Sequence, residues 1–179
     1  NILDNPVSST IYSISGTHNT NSCVTTKTIA VQVLPINVSV NSSTNLVCQG
    51  ASVSLTANGG NSYAWSNGQS GASIVVNPTA SLVYTLTATT SSLSLNCITI
   101  HTLQINVSPN PIVLANSTKT AICKGEFTSM NASGASTYSW TNGSTGASVS
   151  ISPTITTNYT VTGTNANGCS GQASIQLKV

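Results

Sequence analysis

"YAWSNGQSGASIVVNPTASLVYTLTATTSSLSLNC", residues 63–97, and "YSWTNGSTGASVSISPTITTNYTVTGTNANGC", residues 138–169, are two versions of one pattern. A register held over many landmarks marks a repeated structural unit, so this stretch decides the fold. Cys48, Trp65, Pro78 and Tyr84 recur 75 positions later as Cys123, Trp140, Pro153 and Tyr159. Cys48-Gln49-Gly50 matches Cys123-Lys124-Gly125, and Gly71-Ala72-Ser73 matches Gly146-Ala147-Ser148. The second half of the pattern occurs once more near the start. Pro6 and Tyr12 stand as Pro78 and Tyr84 do, and Cys23 corresponds to Cys97 and Cys169. The chain divides into a half-repeat at 1–35, the C-terminal half of a unit, and two full repeats at 36–109 and 110–179.

Inside a full repeat the apolar residues alternate. Val53-Leu55-Ala57, Tyr63-Trp65, Ile74-Val76, Tyr84-Leu86-Ala88 and Leu103-Ile105-Val107 keep a period of two, with Ser, Thr and Asn between them. That period places one face of each segment inside and one outside, as in a half-buried β-strand. Asn-Gly and Gly-Gly pairs punctuate the runs as tight turns require. No window supports a long amphipathic helix. The expectation is an all-β chain in which about seven short strands per repeat form a small β-sandwich. Pro35, Pro109 and Pro111 stiffen the short connections by fixing φ, so the sandwiches are expected to stand in series as a rod.

Composition narrows the function classes. Only 3% of residues are charged, against roughly 25% in ordinary domains. The net charge of +2 comes from four lysines and two acids, too little for a nucleic-acid-binding face. Hydrophobic residues make up 39% and alternate cleanly, which argues for a folded chain. No stretch approaches the ~20 apolar residues of a membrane-spanning helix. The chain begins in mid-pattern, as a mature product or a portion of something longer would.

The five cysteines read as a disulfide framework rather than metal ligands. Cys48 and Cys97 stand at the start and near the end of one repeat, and Cys123 and Cys169 do so in the next. The expected bridges are therefore Cys48–Cys97 and Cys123–Cys169, with buried free thiols as the alternative. Cys23 has its register partner roughly 50 residues upstream, before residue 1, so its bridge is expected to lead outside these residues. Trp65, Trp140, Tyr84 and Tyr159 are expected to be core aromatics, with sugar stacking on the tryptophans as the lesser reading. Asn37, Asn41, Asn106, Asn116, Asn131, Asn142 and Asn158 open Asn-x-Ser/Thr sequons, sites for glycosylation where the machinery exists.

Catalysis finds little to work with. Asp4 and Glu126 are the only acids and lie in different repeats, which excludes a paired-carboxylate site and junctional calcium cages. His18 and His101 have no second histidine or cysteine at ligand spacing, and no G-x-S-x-G elbow is present. The chain is expected to be no enzyme and to hold no cofactor or metal.

The pattern C-x-G … Y-x-W-x-N-G … P-T-x(4)-Y-T-[LV]-T … G-C, from which the middle repeat departs with Leu95-Asn96 before Cys97, resembles the Ig-like/PKD-like tandem repeats of large secreted surface proteins of Bacteroidota. Cys48, Gly50, Tyr63, Trp65, Pro78, Tyr84 and Cys97 carry it in one repeat. Cys123, Gly125, Tyr138, Trp140, Pro153, Tyr159, Gly168 and Cys169 carry it in the next. The resemblance implies tandem Ig-like sandwiches, an extracellular or cell-surface location and a structural role as filament or stalk. Its partners would be further copies of the same repeat in the same or neighbouring chains, with no nucleic acid and no membrane span. The alternative is an adhesin that binds a carbohydrate or surface protein through sandwich-end loops. The segment Thr89–Asn96, longer than its counterpart Thr164–Gly168, is then the candidate loop.

Overall fold

The computed structural model describes residues 3–20, 22–33, 36–92 and 95–179. Pro35, the boundary drawn at residue 35 and part of the Thr89–Asn96 loop lie outside the described residues. Among those described, every regular element is a strand.

The middle repeat builds two sheets. One runs in the order β3 (Ser39–Ser42), β5 (Val53–Asn58), β7 (Ser73–Val76). The other runs β4 (Leu46–Cys48), β9 (Leu95–Ser108), β8 (Leu82–Ser92), β6 (Ser62–Trp65). Val53, Leu55, Ile74 and Val76 from the first sheet and Trp65, Tyr84, Leu86 and Ile105 from the second share one buried core. The period-two pattern has done what it must: the burial of β5 alternates strictly inside and outside.

The last repeat copies the plan. Strands β10 (Leu114–Ser117), β11 (Thr128–Ser133) and β13 (Ser148–Ile151) form one sheet. Strands β12 (Thr137–Trp140), β14 (Thr157–Thr164) and β15 (Ser170–Leu177) form the other. Met130, Val149, Ile151, Trp140, Tyr159, Val161 and Leu177 make the second core. A parallel bridge between Ala121 and Lys178 takes the place of the parallel pairing of β4 with β9.

The half-repeat supplies a hairpin, β1 (Thr10–Thr17) paired antiparallel to β2 (Val24–Val31). Tyr12 faces Ile29 and Ile14 faces Lys27 across it, as Tyr84 faces Leu103 in the middle repeat. Ile14 and Ile29 are 72% and 66% exposed, whereas at the matching positions Leu86 is fully buried and Leu103 half-buried.

One expectation is overturned. The disulfide joins Cys48 to Cys169, 121 positions apart, and the thiols of Cys97 and Cys123 are free. Strand geometry gives the reason. Cys48 pairs with Ser108 at one end of β9, while Cys97 lies near the other end, opposite Thr90. Eleven residues of strand separate the two ends, roughly 36 Å at 3.3 Å per residue. A disulfide needs Cα atoms within about 7 Å. Cys123 and Cys169 stand at opposite ends of β15 in the same way, Cys123 beyond the Ala121–Lys178 bridge and Cys169 just before Ser170.

Candidate functional site

The Cys48–Cys169 bond marks the place where the two sequence repeats meet, and the residues around it are built for that contact. Ser108 ends β9 and is 4% exposed. Its hydroxyl accepts a hydrogen bond from Asn167 Nδ2 at 3.0 Å and a longer one from Asn165 Nδ2 at 3.4 Å. Asn165 Nδ2 also donates to the Pro109 carbonyl at 3.0 Å. Asn165 Oδ1 meanwhile accepts the backbone N–H groups of Asn167 and Cys169, both at 3.0 Å. One asparagine thus shapes its own turn with its oxygen and clasps the neighbouring repeat with its nitrogen. Gly168 closes the turn at φ +81°, a left-handed conformation that strains any side chain. Cys169 is 1% exposed beneath this turn.

The connecting segment is packed as closely. A Cβ on Gly171 would lie 2.1 Å from the Pro111 carbonyl oxygen, and one on Gly134 would lie 2.0 Å from that of Ile112. The backbone of 111–112 therefore runs directly across the last repeat where only glycine admits it. The Gly134 contact is common to both repeats, since a Cβ on Gly59 would lie 1.9 Å from the Asn37 carbonyl oxygen, but in register Gly171 corresponds to Thr99 and Gly163 to Ala88, so those two glycines are peculiar to the last repeat. Sequence reasoning missed Ser108, Asn165, Asn167 and Gly171. The signal available was the pair of glycines in β14 and β15 where the earlier repeat has larger residues.

The tryptophans are core residues. Trp65 and Trp140 are each 4% exposed, and their indole N–H groups donate to the carbonyls of Gly71 and Gly146 at 3.0 and 3.1 Å. The Tyr63 hydroxyl ties down the Gly60 turn and that of Tyr138 the Ala135 turn, each bonding both an N–H and a carbonyl. Tyr84 and Tyr159 lie in the two cores, and burial raises the Tyr84 phenol above its ordinary pKa. The sequon asparagines Asn37, Asn41, Asn106, Asn116, Asn142 and Asn158 are exposed, and Asn131 is half-buried.

The titratable groups stay scattered. Tyr12 donates to the Asp4 carboxylate, a bond that raises the phenol's pKa, on the open face of the β1–β2 hairpin. His18 Nδ1 is bonded to the Thr20 hydroxyl at 2.9 Å. His101 lies opposite Leu86, and its buried Nε2 has no hydrogen-bond partner among the described residues. Cys23 is exposed. Lys119 pairs with Glu126, whose other oxygen accepts the Cys123 N–H at 3.0 Å; the Lys119 hydrogen bond holds the carboxyl below its ordinary pKa. No group of three potential metal ligands occurs among the described residues, and no described helix is long and apolar enough to cross a membrane.

No family model matches the chain, and no curated protein matches it. Solved structures with similarity include an amphioxus IgVJ-C2 molecule, 14% identical, with 75% of this chain and 99% of that one covered at a TM-score of 0.35. They also include murine CEACAM1b, 13% identical, with 79% and 99% covered at 0.37. A third is the structure of a mouse coronavirus receptor-binding domain with its murine receptor, 13% identical, with 80% and 100% covered at 0.39. At TM-scores this low the likenesses carry no inference, and the sandwich assignment rests on the sheets and cores described above.

Proposed function

We propose that the chain is a stretch of an extracellular structural filament or stalk, made of Ig-like sandwiches divided at 1–35, 36–109 and 110–179. The single observation that carries this reading is the clasp between consecutive repeats. A disulfide, two asparagine amides on Ser108 and Pro109, and the close passage of Pro111 over Gly171 all act on one junction. A flexible string of binding modules has no use for such a junction; a load-bearing rod does. Force along the rod would otherwise fall on the short Pro109–Pro111 connection, and the disulfide gives it a parallel covalent path.

The disulfide also favours an oxidising, extracellular setting. The scarcity of charge suits close lateral approach of such rods, because little like-charge repulsion opposes it. With only two acids, in separate repeats, the chain is read as non-catalytic.

Immunogold electron microscopy on the producing cells, with antibody raised against the folded chain, tests the reading. Labelling along the length of surface fibres is the expected result. Labelling confined to fibre tips would favour the adhesin instead, and labelling inside the cell would refute both.

A further inference from the structure

The pole of the last repeat that carries Cys123 is built like the pole that carries Cys48. Gly50 N–H donates to the Pro78 carbonyl at 2.9 Å, and Gly125 N–H to the Pro153 carbonyl at 3.1 Å. Ala51 N–H bonds the Cys48 carbonyl at 3.0 Å, and Glu126 N–H the Cys123 carbonyl at 2.9 Å. Gly50 and Gly125 hold φ at +77° and +76°. Each segment also lies parallel to the end of the last strand of its sheet, Leu46–Cys48 along β9 and Ala121 beside Lys178. The difference is occupancy. Cys48 is bonded to Cys169 of the next repeat, whereas Cys123 is exposed with a free thiol.

We propose that the Cys123 pole is a docking surface for one further sandwich of this same kind, the repeat that follows along the filament, and that Cys123 becomes disulfide-bonded to the cysteine at that repeat's hairpin turn. The proposal rests on the filament reading. It extends that reading by repeating the observed clasp at the next junction: the first cysteine of the last repeat bonds the second cysteine of the repeat that follows it, as Cys48 bonds Cys169. The partner's chemistry is defined by the junction already formed. It brings a turn of the Asn165–Cys169 type, in which two asparagine amides flank a buried cysteine, and a glycine at the register of Gly171 to admit the connecting backbone. A symmetric contact between two Cys123 poles lacks both features.

The bond forms by exchange with a small disulfide such as oxidised glutathione. The Cys123 thiol and the partner's thiol lose two electrons and two protons and become one S–S bond. The glutathione disulfide gains both and leaves as two thiols.

The test uses the whole chain extended after Val179 by a second copy of residues 108–179, so that Ser108 and Pro109 of the known junction are reproduced, in a Cys23→Ser, Cys97→Ser background. It is refolded in a glutathione redox buffer, alkylated with iodoacetamide and mapped by peptide mass. The chain without the extension is the reference, in which Cys123 alkylates and Cys48 and Cys169 do not. In the extended chain the expected result is loss of Cys123 alkylation and a peptide joining Cys123 to the appended repeat's hairpin cysteine, with Cys48–Cys169 retained. A second variant, Cys123→Ser, should leave the appended hairpin cysteine alkylatable. Small-angle scattering on the same samples separates the two ideas. An elongated particle with Cys123 still fully alkylated overturns the docking alone, and a compact particle overturns the filament reading beneath it.

Discussion

Removing the clasp separates the structure's pairing from the one the spacing suggests. Cys48→Ala and Cys169→Ala each delete the same bond, which closes a loop of 121 positions. In the chain-entropy description such a loop withholds about 5 kcal/mol of freedom from the unfolded chain. The loop encloses most of both cores, so the full figure applies where the two unfold together. Where they unfold separately, each opens a shorter loop, and the logarithmic dependence still leaves about 4 kcal/mol. Urea titration followed by tryptophan fluorescence reads this directly, because each core holds one tryptophan. Trp140→Phe leaves Trp65 as reporter of the first core, and Trp65→Phe leaves Trp140 for the second. Cys48→Ala and Cys169→Ala should lower both midpoints by matching amounts. Cys97→Ala and Cys123→Ala, which touch free thiols, should stay within about 0.5 kcal/mol of the parent. If Cys97→Ala weakens the first core as much as Cys48→Ala does, the bridge lies within the repeat and the junction argument is refuted.

Gly171→Ala should cost about 1–3 kcal/mol through the clash with the Pro111 carbonyl, while Gly16→Ala, with open space around it, should leave the melting temperature unchanged. Trp140→Ala should cost about 3–5 kcal/mol, and Trp140→Phe about 1 kcal/mol beyond its loss of volume for the hydrogen bond to Gly146, both read by denaturant titration. Glu126 ionises more readily folded than unfolded, chiefly through its hydrogen bond from Lys119, so its contribution is present above the unfolded pKa and fades as pH falls through the folded one. Glu126→Gln should therefore flatten the acid limb of a melting-temperature profile below the ordinary glutamate range and change little in high salt.

Much of the architecture is local and was legible. Alternation at period two in Val53–Ala57 and Tyr84–Ala88 names strands and their inward faces without any partner in view, because Cβ direction along a strand is fixed by the backbone alone. The 75-position register likewise paired Trp65 with Trp140 and Tyr84 with Tyr159, and each pair occupies matching places in the two cores. Turn glycines such as Gly68 and Gly143 were readable for the same reason, since a positive φ is a property of a few consecutive residues.

The cysteine pairing is not local, and there the sequence misled. Spacing along the chain says that Cys48 and Cys97 bracket one repeat, but not which end of a strand each reaches. Strand β9 carries the chain some eleven residues from Cys97 to the Ser108 end, so two cysteines of one repeat finish at opposite poles. Proximity at a pole then belongs to whichever hairpin the next repeat brings there, and that is the turn from Asn165 to Cys169. By itself the sequence determined the strands, their buried faces and the repeated unit, because these follow from backbone geometry over a few residues. Only the tertiary structure decided how the units are joined, because a covalent bond across 121 positions depends on where whole sheets end in space.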